Sequence, residues 1–264
     1  MRIRIPEDEG IFYQRITYPA GEQQVRLINF VNEISIAKRI DVWARAASAE
    51  NLMTLVLLTD ALHEINRRAR MDLWLAYLPY GRADRRFTVG DCFGLRAFGN
   101  IIDSLGYGKV HTLDVHSTAA RSEIANLLNH APDAMIQTVA NELGGATYLA
   151  PDYGARTRYG ISLYCKKHRD ASTGRITRIE VPAENVMMLP KGSRVLVVDD
   201  ICDGGATFEM LADELKGRDL KLYLWVTHGI FSKGTAELKR RYRKIFCSDS
   251  LPAREGEQVT RIAW

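Results

Sequence analysis

Cysteine is scarce in this 264-residue chain, and its few copies do not form any recognisable pair. Cys92, Cys165, Cys202 and Cys247 stand far apart, with no C-x-x-C motif among them. This spacing indicates neither a disulfide framework nor a zinc site. We therefore expect reduced cysteines and a cytoplasmic protein.

Long apolar segments and familiar nucleotide motifs are also missing. No apolar run approaches the roughly 18 residues that a membrane-spanning helix needs, and residues 1–6 lack the apolar core of a signal peptide. We therefore expect no membrane partner. The sequence has no Walker A motif, so a bound nucleotide would be held by other groups.

The composition is that of an ordinary globular protein, with 46% hydrophobic and 26% charged residues. The net charge is +4 and the basic residues are scattered, which suits an anionic substrate but does not indicate a nucleic-acid partner. Predicted strands alternate with predicted helices, a pattern typical of parallel sheets built from βαβ units. Both halves show it, which favours two tandem α/β domains, residues 1–129 and 130–264.

The most informative stretch is Arg194–Thr207, in which an acidic pair and a glycine-rich turn follow an apolar segment. Val195–Val198 is continuously apolar, which predicts a strand buried on both faces of a parallel sheet. Asp199 and Asp200 come next, and residues 208–216 have the apolar spacing of a helix. The sequence therefore predicts a ligand site between a strand and a helix.

The chemistry of this stretch suits a phosphorylated sugar, because open parallel sheets bind ligands at the carboxyl ends of their strands. Carboxylates such as Asp199 and Asp200 accept hydrogen bonds from vicinal ribose hydroxyls. Backbone amides of a glycine-rich helix start bind phosphate. The residues expected around the phosphate are Asp203, Gly204, Gly205, Ala206 and Thr207.

A basic cluster follows the predicted strand 73–78. Arg82 and Arg85 lie within a few residues of each other, and Asp84 stands between them. Guanidinium groups match phosphate oxygens geometrically and stay charged at any working pH. The cluster is therefore either part of a phosphate-binding site or a solvated surface feature.

Isolated acids and a histidine follow two other predicted strands. Asp114 and His116 stand two apart at the end of strand 110–115, so we expect both side chains on one face. They suit Mg²⁺, bound directly or through water, or else a buried histidine bonded to its neighbour. Asp152 follows strand 146–150 and suits a second metal, a sugar hydroxyl or simply a turn.

A second basic cluster, Lys166, Lys167 and Arg169, follows the predicted strand 161–165. Cations placed there can stabilise the charge that develops on a transferring phosphoryl group. The alternative is a mobile basic loop, although such loops also close over substrates.

Together these motifs resemble the ribose-phosphate pyrophosphokinase (PRPP synthetase) family, of which the chain looks like a shortened and divergent member. The likeness runs in order through Tyr18–Glu22, Tyr80–Arg86, Asp114–His116, Pro151–Gly154, Lys167–Arg169, Asp199–Thr207, Thr227–His228 and Ser248–Ser250. It implies two tandem phosphoribosyltransferase-like (type I) domains, each a mainly parallel sheet flanked by helices. The N-terminal domain would serve ATP and the C-terminal domain ribose 5-phosphate.

The resemblance also implies a reaction and a role for each motif. The diphosphoryl group of ATP would pass to the C1 hydroxyl of ribose 5-phosphate, with Mg²⁺ as cofactor, in a homo-oligomer (dimer or hexamer) whose subunits share ATP sites. Lys167 and Arg169 would be catalytic, with Lys166 as the fallback for Lys167. The implied ATP-binding residues are Tyr18, Glu22, Arg82, Asp84, Arg85 and His116, and the implied metal ligands are Asp114, His116 and Asp152.

Two positions depart from the family's pattern on the nucleotide side. The family's aspartate before Gly-Glu is Ala20 here, and its glutamine after arginine is Ala83. These two positions motivate the last of three alternatives that stay open. The acceptor would be a larger ribose 5-phosphate ester such as ADP-ribose, the chain would be a PRPP-consuming phosphoribosyltransferase, or it would be a non-catalytic nucleotide-sensing relative.

Overall fold

The computed structural model describes residues 1–170, 176–254 and 256–264. The chain divides into two compact units, Met1–His130 and Ala131–Trp264. Each unit has a parallel sheet flanked by helices, so the predicted α/β class is confirmed. Among the described residues, no helix is long and apolar enough to cross a membrane.

Unit 1 is built on a five-stranded sheet in the order β1-β4-β5-β6-β7, whose pairs are all parallel. A separate antiparallel hairpin is formed by β2 and β3. In chain order the elements are β1 (Arg2–Ile5), β2 (Tyr13–Thr17), β3 (Gln23–Leu27), α1 (Val31–Ile36), β4 (Arg39–Ala44), α2 (Ala49–Ile65), β5 (Arg70–Leu75), α3 (Gly94–Ser104), β6 (Lys109–Leu113), α4 (Ala120–Glu123) and β7 (Leu127–His130).

Period-two alternation sets the core of unit 1. In β4 the side chains of Ile40 and Val42 are buried, whereas Asp41 between them is only half-buried. The buried set packs with the apolar stripe of α2, including Leu55 and Leu58, in one hydrophobic cluster. The strand order fits this arrangement, because right-handed crossovers between successive neighbours place their helices on one face of a sheet.

Unit 2 has a six-stranded sheet in the order β15-β14-β13-β12-β8-β9, again with parallel pairs. Its elements are α5 (Asp133–Glu142), β8 (Thr147–Ala150), α6 (Tyr153–Tyr159), β9 (Leu163–Tyr164), β10 (Lys166–Arg169), β11 (Ile176–Glu180), α7 (Ala183–Met187), β12 (Arg194–Cys202), α8 (Ala206–Glu214), β13 (Lys221–Gly229), α9 (Ala236–Lys239), β14 (Lys244–Ser248) and β15 (Thr260–Ile262).

Strand β12 lies between β8 and β13 in the middle of this sheet, which explains its apolar run. Val195–Val198 are fully buried, as expected for a strand covered on both faces. The strand continues to Cys202, because its pairing with β13 persists through Asp199 and beyond. The acidic pair therefore lies within the last part of the strand rather than after it.

Other predicted elements differ from the structure. The sequence offers a turn at Asp152, but the structure has the start of helix α6 there, because the Asp152 carboxylate caps the helix by accepting from the Ala155 amide at 2.8 Å. The second basic cluster, for which a mobile loop was the alternative, lies in strand β10, which pairs with β11 as an antiparallel ribbon. The sequence also predicts a turn at Thr173-Gly174, which lies outside the described residues.

Candidate active site

The acidic pair at the end of β12 concentrates negative charge. Asp200 is buried and Asp199 is half-buried, and the Asp200 amide donates to Asp199 Oδ1 at 3.0 Å. Burial, together with the neighbouring Asp200 charge, raises the pKa of Asp199 well above its usual range. The Arg158 guanidinium of α6 lies 3.6 Å from Asp200 Oδ2. The pair therefore has hydrogen-bond acceptors for a polyhydroxylated ligand and one guanidinium beside it.

An ion pair stands next to these carboxylates. The Lys167 ammonium lies 2.6 Å from Asp152 Oδ2, and only 12% of the Lys167 side chain is exposed. Burial raises the pKa of Asp152, but the charge and hydrogen bond of Lys167, together with backbone hydrogen bonds from Ala155 and Gly154, hold that pKa below its usual range. Lys167 also lowers the pKa of Asp199. The three side chains therefore act on one another electrostatically.

The two adjacent lysines of β10 have different surroundings. Successive side chains of a strand point to opposite faces, so Lys167 joins the ion pair while Lys166 is exposed. The backbone of Arg169 belongs to the same strand, but its side chain lies outside the described part of the structure. Its catalytic role stays a prediction.

The glycine-rich turn connects β12 to α8 through a left-handed residue. Gly205 has φ 85° and is the N-cap of α8, and its carbonyl accepts from Phe208 N at 2.9 Å and Glu209 N at 3.1 Å. Glycine adopts this conformation without a Cβ clash. The first amides of a helix, here from Ala206 and Thr207, have no partner within the helix. The turn therefore has the geometry of an anion site.

Unit 1 holds the remaining predicted residues. Tyr18 and Glu22 close the tip of the β2–β3 hairpin, where the Tyr18 amide donates to the Glu22 carbonyl at 2.8 Å. Arg82 is exposed after β5. Arg85 donates to both carboxylate oxygens of Asp84, at 3.0 and 3.3 Å, and this bond lowers the pKa of Asp84. The exposed cluster thus contains an internal ion pair.

Asp114 and His116 do not lie on one face of a strand, as the spacing predicted. Strand β6 ends at Leu113, and Asp114 is in the left-handed region with φ 46°. As a result, Asp114 is buried whereas His116 is exposed. Within the described residues, no three histidine, cysteine or acidic side chains cluster as a preformed metal site. The metal roles stay predictions.

The chain is similar to several known proteins. Residues 162–256 match the sequence model of the phosphoribosyl transferase domain. A ribose-phosphate pyrophosphokinase of Thermococcus kodakarensis is 29% identical over 254 residues, which cover 93% of this chain and 86% of the relative. One of Pyrococcus furiosus is 26% identical, covering 89% and 84%. The chain is therefore similar to ribose-phosphate pyrophosphokinases along most of its length.

The fold of this chain matches a solved structure along nearly its full length. A phosphoribosylpyrophosphate synthetase from Mycobacterium smegmatis aligns with a TM-score of 0.74 and covers 95% of this chain and 85% of its own. At 18% identity, the likeness concerns the fold.

Sequence reasoning missed one charged residue of this candidate site. Arg158 follows Asp152 on α6, and its contact with Asp200 joins two elements that are distant in the chain. No spacing rule connects an arginine on a helix to a carboxylate on a strand about 40 residues later. One local feature of the sequence could have indicated it. If Asp152 is interpreted as the N-cap of a helix, Arg158 lies in the last turn of that short helix.

Proposed function

We propose that this chain transfers the diphosphoryl group of ATP to the C1 hydroxyl of ribose 5-phosphate, which yields PRPP and AMP. The observation that carries the proposal is the acidic pair Asp199 and Asp200 between the glycine turn and the Lys167–Asp152 ion pair. The names of the related proteins also support it.

In the proposed complex, each part of the acceptor meets a matching group. The ribose hydroxyls donate to the carboxylates of Asp199 and Asp200, which are acceptors when ionised. The 5-phosphate accepts from the amides at the start of α8, whose dipole favours an anion. The C1 hydroxyl is then left for reaction with the nucleotide.

The reaction is a displacement at the β-phosphorus of ATP. The C1 oxygen forms a bond to that phosphorus, while the bond to the oxygen that bridges to the α-phosphorus breaks. AMP leaves with the electron pair and the C1 hydroxyl loses its proton. Lys167, held by Asp152, supplies positive charge where negative charge accumulates, and Arg169 is the proposed second cation.

Mg²⁺ is the proposed cofactor, and the carboxylate of Asp152 fits it. Mg²⁺ in such sites takes one or two carboxylates together with waters and substrate phosphates, rather than a cage of protein ligands. Asp152 accepts from Lys167 and Ala155 on its two oxygens, which leaves lone pairs of the carboxylate for further contacts. In unit 2, Asp152 would hold the ion, which when bound would neutralise phosphate charge, and His116 and Asp114 of unit 1 stay predicted ligands.

We propose that residues of unit 1 bind ATP and that the ATP site is completed by oligomerisation. Arg82 and Arg85 would contact the nucleotide phosphates, with Asp84, Tyr18 and Glu22 as further contacts. A homo-oligomer in which subunits share ATP sites is part of the same proposal.

The test is product analysis after incubation with ATP, Mg²⁺ and ribose 5-phosphate. Mass spectrometry should find AMP and PRPP in equal amounts, and Asp200→Asn should abolish both. Asp219→Asn, an isosteric change at an exposed aspartate of the same unit, is the matched control and should leave both products unchanged. AMP formed only with ADP-ribose would move the assignment to the larger acceptor. PRPP consumed with a free base would assign a transferase.

A further inference from the structure

Lys233, to which none of the motifs above assigns a role, is held beside the glycine turn. It belongs to the segment after β13, whose backbone is bonded to the end of β12. The Phe231 amide donates to the Cys202 carbonyl at 3.0 Å, and the Ser232 amide donates to the Asp203 carbonyl at 3.1 Å. The backbone that bears Lys233 is therefore fixed to the start of the turn.

The Lys233 side chain runs along the bare face of Gly204. A Cβ at Gly204 would lie 3.5 Å from Lys233 Cε, 3.6 Å from Cδ and 3.9 Å from Cγ. The ammonium is one bond beyond Cε, so it stands at the turn that we propose for the 5-phosphate. Lys233 is exposed, which leaves the ammonium in water, ready to meet an anion.

Two carboxylates near the turn make a nearby cation favourable for binding a phosphate. Asp203 is exposed within the turn, and Glu209 Oε1 would lie 3.3 Å from a Cβ at Gly205. Two carboxylates thus flank a place that would receive a phosphate dianion. The dipole of a helix start is equivalent to only about half a positive charge, so it does not offset both carboxylates. The Lys233 ammonium adds a full positive charge at this point.

We propose that Lys233 binds the phosphate group at C5 of the acceptor and so selects a phosphorylated pentose over the free sugar. This inference rests on the proposed function, because it takes the glycine turn as the place of the 5-phosphate. The contact acts on the binding of the acceptor, since the C5 substituent is remote from the C1 hydroxyl that reacts.

The experiment compares Lys233→Ala and Lys233→Arg with Lys216→Ala. Lys216 is an exposed lysine just past the other end of α8, so it provides the same change of charge away from the turn. Steady-state kinetics give KM for ribose 5-phosphate and for ATP. Isothermal titration calorimetry gives the affinities for ribose 5-phosphate and for ribose.

Lys233→Ala should raise KM for ribose 5-phosphate and weaken its binding by about 10- to 100-fold, as expected for a lost charge-assisted contact. kcat, KM for ATP and the affinity for ribose should stay within about twofold of the wild-type values. Lys233→Arg keeps the charge and should restore most of the affinity, and Lys216→Ala should match the wild type.

Two results would overturn the inference. One is an unchanged affinity of Lys233→Ala for ribose 5-phosphate. The other is an equal loss in both Lys233 variants together with a lower melting temperature, which would indicate a structural role. The calorimetry separates this inference from the reaction. A wild type that releases no AMP but prefers ribose 5-phosphate to ribose through Lys233 refutes only the reaction, whereas a wild type that does not bind ribose 5-phosphate refutes both.

Discussion

The Lys167 ammonium and Asp152 Oδ2 lie 2.6 Å apart, and this ion pair ties strand β10 to the cap of helix α6. It also distinguishes two lysines that the sequence left as alternatives. Lys167 is largely buried in the pair, whereas Lys166 is exposed on the other side of the strand.

The first prediction concerns these two lysines. Lys167→Ala should lower kcat by about 10²- to 10³-fold, the usual effect of removing one group that stabilises transition-state charge. The loss of kcat in Lys166→Ala should be less than about a tenth of that loss, because Lys166 lies on the opposite face of β10 from Lys167. The measurement is the rate of AMP release at saturating substrates. Equal losses of kcat in both variants would contradict the assignment of Lys167 as the lysine that stabilises the transition state.

The second prediction concerns Arg158 and the Asp200 carboxylate, 3.6 Å apart. Arg158→Gln removes the positive charge beside Asp200, and because an opposite charge favours the ionised form of a carboxylate, the acidic limb of kcat/KM should move to higher pH. KM for ribose 5-phosphate should rise about tenfold, as expected for a weakened charge-assisted contact.

The matched control is Arg156→Gln on the same helix, whose guanidinium lies over the Tyr164 ring at 4.5 Å. It should leave the pH profile in place. If Arg158→Gln and Arg156→Gln shift the acidic limb equally, the effect is one of net charge and the contact with Asp200 is unimportant.

The third prediction links the acidic pair to stability. The pKa of Asp199 is raised in the folded chain by burial and by Asp200, so folding takes up a proton between the unfolded and folded pKa values. Stability therefore falls as pH rises through that window. Asp199→Asn removes the buried charge and should raise the melting temperature above that window by about 2–4 °C, which corresponds to about 1 kcal/mol.

The gain should shrink as pH is lowered and Asp199 is protonated in the wild type. Scanning calorimetry between pH 5 and pH 8 measures it, and Asp219→Asn serves again as the control. If Asp199→Asn were less stable than the wild type at every pH, this result would contradict the repulsion between Asp199 and Asp200. The same variant should bind ribose 5-phosphate more weakly, because an amide also offers a donor where an acceptor is needed.

The fourth prediction tests the packing of unit 1 at Gly99 in α3. A Cβ there would stand 2.0 Å from the Glu123 carbonyl oxygen, so backbone must shift to accept Gly99→Ala. The free energy of unfolding in urea should fall by about 1–3 kcal/mol. Asn100→Ala, at an exposed position of the same helix, should be neutral or slightly stabilising. Similar effects of the two changes would contradict the contact.

The sequence was sufficient where a strand is buried on both faces. Val195–Val198 is apolar throughout, so β12 was evident without knowledge of its neighbours. Strand β4 was missed because Arg39 and Asp41 interrupt its apolar residues in a period-two pattern. A search for continuous apolar runs does not find such a strand, although its alternation is present in the sequence.

The site was predictable in its local motifs and less so in its long-range contacts. The end of β12 and the glycine turn are contiguous in sequence, so their juxtaposition needed no tertiary information. The resemblance already favoured Lys167, with Lys166 as the fallback, but the different surroundings of the two lysines required the pairing of β10 with β11, which sets the face each lysine occupies. The prediction that Asp114 and His116 share a face was wrong because side chains alternate regularly only within a strand, and β6 ends one residue before Asp114.

The central claim is that the acidic pair binds the sugar while the glycine turn binds its phosphate. A crystal structure of the chain with ribose 5-phosphate tests this most directly. The predicted result has ribose hydroxyl oxygens at about 2.6–3.0 Å from the Asp199 and Asp200 carboxylates, with the phosphate against the amides of residues 204–207. Ribose 5-phosphate bound elsewhere, with that pocket empty at saturating ligand, would contradict the account.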